Sequence, residues 1–315
     1  MRAPTQRMSE QIDQARASIE SALIEALPAA TPTDADAATD TSPNLAPNLV
    51  AAMHYATLAG GKRLRPLLCI AAAEAAGGQR QRGLTAGCAI ELVHTYSLIH
   101  DDLPAMDDDQ LRRGMPTCHI RFNEAEAILA GDALQALAFE LLADQPLPAT
   151  TCLMMSKHLA RAAGWAGMVG GQSFDLALTQ LSRNQQKIAQ SVLEDLHAAK
   201  TGALIKASLE LGAMSAEGAS EVTVSTCGTI GEKLGLAFQV IDDVLDVSQT
   251  TETLGKDAGS DAAQGKTTFV DLLGEEGARQ YAYELFEEAK SHFESLPGPT
   301  ALLEAAAQEV VFRDH

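Results

Sequence analysis

The sequence predicts an all-α protein, on three observations. Ala and Leu dominate long segments in which apolar residues recur at helical spacing. Hydrophobic residues make up 46% of the 315 but aromatics only 4%, which suits a core of small side chains. No run alternates polar and apolar at period two for long enough to suggest a sheet.

Residues 8–27 carry an amphipathic helical pattern. The segment from Pro28 to Pro47, rich in Thr, Asp, Ala and Pro, reads as a long exposed loop. Helical patterning resumes at once and no second composition regime appears. Residues 1–315 are therefore read as one domain with a loop insertion at 28–47. Helical stretches follow at about 66–78, 83–103, 123–144, 150–164, 166–180, 185–213, 219–247, 276–295 and 300–312, punctuated by Gly, Pro and Ser.

A net charge of −19 argues against nucleic-acid or anionic-membrane surfaces, which favour basic stripes. It also makes the few basic clusters informative. Five cysteines without a CxxC pair read as reduced, buried thiols rather than disulfides or zinc ligands. The N-terminus lacks the apolar core of a signal peptide, and Leu67 to Ala76 is too short to span a bilayer. A soluble, cytoplasmic protein without a membrane anchor is expected.

Two aspartate clusters interrupt this apolar background: Asp101-Asp102-Leu-Pro-Ala-Met-Asp107-Asp108-Asp109 and Asp242-Asp243-Val-Leu-Asp246. Two carboxylates about 4 Å apart repel by roughly 4 kcal/mol at an effective dielectric near 20, so a cation must offset them. Oxygen-only ligands suit Mg²⁺, which binds through a few carboxylates plus substrate phosphates. Gln239, Asp242 and Asp246 share a helix face, as do His94, Ser97 and Asp101. A solvated acidic face is the bland alternative, and the apolar flanks weaken it. Pro104 should break or bulge the helix and let Asp107 turn back toward Asp101. An EF-hand is excluded, because its alternating Asp pattern and sixth-position Gly are absent.

Gly60-Gly61-Lys62-Arg63-Leu64-Arg65-Pro66 is a basic turn entering a helix. With Pro66 at the first helical position, Lys62 and Arg65 would sit just before the positive end of a helix dipole, a good anion site. Arg112 and Arg113 offer guanidinium forks to phosphate oxygens. Lys200-Thr201-Gly202 interrupts a helical run. Lys256 and Lys266 flank a Gly-rich loop that imitates a P-loop with the wrong spacing and no preceding strand. Gly170-Gly171-Gln172 with Asp175 reads equally as close helix packing or as part of a site.

These stretches together resemble the short-chain trans-prenyltransferases (polyprenyl synthases), most closely the bacterial farnesyl diphosphate synthases. The matching runs are GGKRLRP (60–66), HTYSLIHDDLPAMDDDQLRRGMPTCH (94–119), AGDALQ (130–135), GGQSFDL (170–176), KTGALI (200–205), GLAFQVIDDVLDV (235–247) and GKDAGSDAAQGKTT (255–268). The resemblance implies an isoprenoid-synthase fold, a helical bundle around a central cavity, and a homodimer. It implies three Mg²⁺ ions, with Mn²⁺ able to substitute, held by Asp101, Asp107 and Asp242. Arg112, Lys200, Lys256 and Lys266 would hold an allylic diphosphate. Lys62, Arg65, His94 and Arg113 would hold isopentenyl diphosphate, and Thr201 and Gln239 would lie near the developing allylic cation.

Helix rise puts Ser97 and Tyr96 roughly 6 to 7.5 Å below Asp101, so bulky Tyr96 could floor the cavity beside small Ser97. Its alternative is ordinary core. An aromatic five residues before the motif, with Pro104-Ala105 inside it, looks like the bacterial C15 pattern. The expected product is thus (2E,6E)-farnesyl diphosphate, from isopentenyl diphosphate with dimethylallyl and geranyl diphosphate. A geranylgeranyl or geranyl diphosphate synthase is the alternative. Gln110 stands where close relatives often carry a further acid. The ending Phe312-Arg313-Asp314-His315 leaves a basic closing role for Arg313 unsupported. A terpene cyclase would carry Asn and Ser or Thr in place of Asp243 and Asp246, and a non-catalytic partner subunit would have lost one acidic motif.

Overall fold

Alanine-rich stretches bounded by Gly, Pro and capping residues fold as helices throughout the computed structural model, which describes residues 6–29, 46–183, 188–248 and 266–312. The first helices are α1 (Gln6–Ala26), α2 (Pro47–Thr57), α3 (Leu64–Ala75) and α4 (Arg80–Asp101). A hairpin, β1 (Leu111–Arg112) and β2 (Met115–Pro116), leads to α5 (Cys118–Arg121), α6 (Glu124–Ala143), α7 (Ala149–Ala163) and α8 (Met168–Arg183). The chain continues through α9 (Gln190–His197), a π-helical turn at Ala198–Gly202, α10 (Ala203–Ser215), α11 (Glu221–Ser248), α12 (Phe269–Ser291) and α13 (Ala301–Val311).

The centre of the bundle is α10, packed against α3, α4, α7 and α11. Helix α3 is buried along nearly its whole length, and small residues such as Ala71, Ala72 and Ala75 let its neighbours approach closely. The second acidic helix, α11, packs on both α10 and α12. No helix among the described residues is long and apolar enough to cross a membrane. All five cysteines are buried free thiols, as the composition suggests.

Four expectations change. Helix α3 begins at Leu64 with Arg63 as its left-handed N-cap, so Pro66 is the third helical residue and Arg65 lies inside the first turn. The stretch 185–213 is not one helix: α9 starts at Gln190, and the turn at Lys200 widens to π geometry instead of breaking the chain. Helix α12 starts at Phe269, not near 276, because Thr268 and Asp271 form a capping box there. The hairpin is too short to show alternation. Its turn residues Arg113 (φ 53°) and Gly114 (φ 75°) are both left-handed, as a tight two-residue hairpin needs.

Candidate active site

The turn before α3 builds a cation-lined cavity on a buried ion pair. Arg63 (φ 50°) turns inward and donates to Glu91 at 2.9 Å, Glu20 at 2.6 Å and the Thr57 carbonyl at 2.7 Å. Its neighbours Lys62 and Arg65 are left on the wall of a cavity of about 420 Å³, which His94, Arg113, Phe238 and Glu309 also line. The Arg113 guanidinium donates to the Gly60 carbonyl and lies flat over Gly61, where an added Cβ would stand 2.8 Å away. Gly61 also holds φ at 131°, a conformation that only glycine adopts readily. Burial, then the guanidiniums of Arg65, Arg113 and Arg112, hold His94 well below the usual imidazole value, so the ring is neutral. Four residues expected to grip one diphosphate thus meet in one cavity. The Arg63–Glu91 support was not foreseen; an acid at 91 inside an apolar helix was its available signal.

The first acidic cluster divides its labour. Helix α4 ends at Asp101, and the Asp107 N–H donates to the Asp101 carbonyl at 2.9 Å, the turn-back expected from Pro104. Asp102 points inward, buried, and accepts both arms of the Arg112 fork at 2.8 and 2.5 Å. Arg112 is therefore engaged with a carboxylate, with Asp109 at 3.7 Å beyond. Burial pushes the Asp101 carboxyl up to about 6, with Lys200 opposing the shift and Asp107 adding to it.

Lys200 sits on the π-helical turn, wedged between two glycines. A Cβ on Gly171 of α8 would lie 2.3 Å from the Lys200 nitrogen, and one on Gly235 of α11 would lie 2.7 Å from Gly202. The Gly170-Gly171 pair is thus close packing, while Asp175 from the same run accepts from Lys200 at 2.6 Å. Lys266 approaches Asp175 at 3.9 Å. Lys200 also feels Asp101 and Asp107, so the end of α4 and the π turn face one another. Lys256 and Arg313 lie outside the described residues.

On α11, Gln239 and Asp242 are half-buried, while Asp243 and Asp246 are buried. Asp243 accepts the Phe269 N–H at 2.7 Å and so ties the start of α12, just beyond Lys266, to the acidic helix. His197, the last residue of α9, stands 3.1 Å from Oε1 of Gln239 through Nδ1 and stacks on Phe269. Burial drives its pKa down to about 4, despite Asp175 and Asp242 nearby, so it is neutral. Tyr96 is buried with its ring edge toward His100 and its hydroxyl without a hydrogen-bond partner. The Ser97 hydroxyl donates back to the His94 carbonyl at 2.8 Å.

A model described as Polyprenyl synthetase matches residues 46–295. The chain belongs to that family. Farnesyl diphosphate synthase of Escherichia coli (strain K12) is 45% identical over 272 residues, covering 84% of this chain and 89% of its own length. The chloroplastic geranylgeranyl pyrophosphate synthase of Capsicum annuum is 43% identical over 267 residues, covering 84% of this chain and 71% of its own. The apo crystal structure of an FPP/GFPP synthase from Zymomonas mobilis superposes with a TM-score of 0.80 at 36% identity, covering 97% of this chain and 99% of that one. The isoprenoid-synthase fold and a prenyltransferase that elongates prenyl chains follow.

Polyprenyl synthases are generally Mg²⁺-dependent, and the donor set here fits that ion. Its donors are carboxylate oxygens, the ligands of a hard cation. Among the described residues no three acidic, His or Cys side chains converge tightly enough to hold an ion by themselves. Mg²⁺ takes one or two carboxylates and completes its shell with water and phosphate oxygens. Asp101, Asp107 and Asp242 are the residues that would hold it.

Proposed function

We propose that this prenyltransferase condenses isopentenyl diphosphate with dimethylallyl and then geranyl diphosphate, giving (2E,6E)-farnesyl diphosphate and diphosphate. One observation carries the reading: the cavity that Lys62, Arg65, His94 and Arg113 line has neither Asp101 nor Lys200 in its wall, while Lys200 feels Asp101 and Asp107. Two diphosphates need two such sites. A cyclase, with one diphosphate substrate, would need only the second.

In this reading Lys62, Arg65 and Arg113 bind isopentenyl diphosphate by charge, and neutral His94 supplies a hydrogen bond. Asp101, Asp107 and Asp242 would hold Mg²⁺ where the allylic diphosphate binds, with Arg112, Lys200, Lys256 and Lys266 as further cationic partners. Bound there, Mg²⁺ would neutralise charge that develops on the leaving oxygen. Lys200, fixed by Asp175 and by the glycine-packed π turn, is preorganised for that same charge and needs little reorganisation as the C–O bond breaks. The Thr201 and Gln239 dipoles flank the allylic cation while the isopentenyl double bond attacks it. A proton is then lost, and the released diphosphate is read as its acceptor.

Farnesyl diphosphate is preferred over the C20 product because Tyr96 is bulky and lies one and a half turns before Asp101 on α4. We further read the active protein as a homodimer of single-domain chains acting in the cytoplasm without a partner subunit. The test is turnover by purified protein with Mg²⁺ and the two C5 diphosphates, read by mass spectrometry. A C15 allylic diphosphate is expected. A C20 product would move the assignment to geranylgeranyl diphosphate synthase, and no turnover without a second protein would support a partner subunit.

A further inference from the structure

Gln239 and Asp243 stand one turn apart on α11, and a closed ring of contacts leaves one and returns to the other. Asp243 holds the Phe269 amide at 2.7 Å. The Phe269 ring stacks on His197, centroids 5.6 Å apart with 29° between planes. His197 reaches back to Gln239 at 3.1 Å. The ring joins α11, the start of α12 and the entry to the π turn that carries Lys200. Nothing in the motif chemistry asks for an imidazole there.

The hydrogen-bond inventory identifies the tautomer. His197 Nε2 is buried and has no partner. A proton on Nε2 would be a buried N–H without an acceptor, which folded proteins almost never tolerate, whereas an unmatched lone pair is the lesser cost. The proton therefore sits on Nδ1 and donates to Gln239 Oε1. That single bond decides which end of the Gln239 amide is committed to the protein. Its NH₂ end is then the one left for other partners.

We propose that His197 is a positioning residue for chain elongation: as the Nδ1–H tautomer, clamped flat by Phe269, it fixes the orientation of the Gln239 amide. This rests on the reading that Gln239 lies beside the reacting allylic carbon. Because His197 acts through Gln239, losing it costs the chemical step and leaves isopentenyl diphosphate binding alone.

The test compares His197→Phe, which keeps the ring stack without a donor, with His197→Asn, whose amide donor falls near Nδ1, and with Gln239→Leu. A hydrogen bond of about 0.5–1.5 kcal/mol translates to a kcat loss of roughly 2- to 13-fold for His197→Phe, with KM for isopentenyl diphosphate unchanged. His197→Asn should recover most of that loss. His197→Phe added to Gln239→Leu should cost nothing further. If Phe is not accommodated, His197→Gln, whose donor falls at the Nε2 position, takes its place in the comparison. Wild-type kcat in the donor-less variant, failure of Asn to rescue, or additive losses would overturn the proposal. If Gln239→Leu alone keeps wild-type kcat, the role given to Gln239 is wrong and the proposal goes with it. If Gln239→Leu is slow but His197→Phe is not, only the proposal fails.

Discussion

The cation-lined cavity at Lys62, Arg65, His94 and Arg113 rests on a buried ion pair, whereas burial at the acidic wall of Asp101 works against the charge it carries. Under the first, Arg63 and Glu91 are both at most 4% exposed at their side chains and 2.9 Å apart, with Glu20 and a backbone carbonyl completing the arginine's bonds. At the second, desolvation is the largest influence on Asp101, and its neighbour Asp107 adds repulsion. The difference teaches how one fold holds cations and carboxylates by opposite means. A site made of the protein's own cations can be assembled by folding alone. A site made of carboxylates recognises an anion only through a cation shared with it.

The contrast is broken most directly at Arg63. Arg63→Ala strands Glu91 in the core, and removing one member of a buried pair costs about 3–5 kcal/mol. Chemical denaturation should show that loss, because the Arg63 guanidinium is engaged with Glu91, Glu20 and the Thr57 carbonyl. A stability change under about 1 kcal/mol would mean that the pair does not support the site. At the acidic wall the opposite is expected. Asp101→Ala or Asp242→Ala should lower turnover by at least roughly 10²–10³, the usual cost of removing a group that stabilises transition-state charge. Excess chelator should abolish activity in the wild type. Asp101→Asn, measured without metal, should unfold at or above the wild-type temperature, because it removes a carboxylate that burial and Asp107 both disfavour. A marked drop in its melting temperature would put Asp101 on the same footing as Arg63.

A smaller effect separates the two anion sites in kinetics. Arg65→Ala should raise KM for isopentenyl diphosphate by roughly 10–100-fold, the range for a hydrogen bond to a charged group of about 1.5–3 kcal/mol, and leave the allylic KM nearly unchanged. Lys200→Ala, which removes the partner of Asp175 and the cation opposite Asp101, should weigh on the allylic substrate instead. Equal shifts in both constants for either variant would merge the sites.

Much of this was legible in the sequence because helical spacing is a local property. The return of Asp107 to Asp101 follows from a short segment with Pro104 inside it, whereas the shared cavity of Lys62, Arg65 and His94 was implied by the family resemblance. What stayed hidden depends on pairs distant in sequence. That Arg63 turns inward to Glu91 and Glu20 is not readable from its basic turn alone. That Arg112 also grips Asp102, and Arg113 the Gly60 carbonyl, depends on the hairpin turn and is not readable from the two arginines alone. Asp243 reads as part of a metal motif, yet its carboxylate caps a helix 26 residues later. The π turn was visible only as a disturbance, since its geometry depends on Gly171 and Gly235 packing against it from two other helices.

The smallest expected change lies at Tyr96, between the two regions on α4. Its ring packs within the core and its hydroxyl is buried without a hydrogen bond, so the two parts of the side chain can be tested apart. Tyr96→Phe removes an unsatisfied polar group and should be neutral or stabilising by up to about 1 kcal/mol, with the product unchanged. Tyr96→Ala removes the ring as well and opens space below the level at which a diphosphate bound at Asp101 would anchor a prenyl tail. Each added C5 unit must enter that space, so the product distribution should move from C15 toward C20. The change needs only a modest free energy, because one further condensation competes with release of the same enzyme-bound intermediate. If Tyr96→Ala stays folded and active and yields only the wild-type product, the ring is core packing and another side chain limits the chain. If Tyr96→Phe alone lengthens the product, the hydroxyl sets the limit and the bulk argument fails.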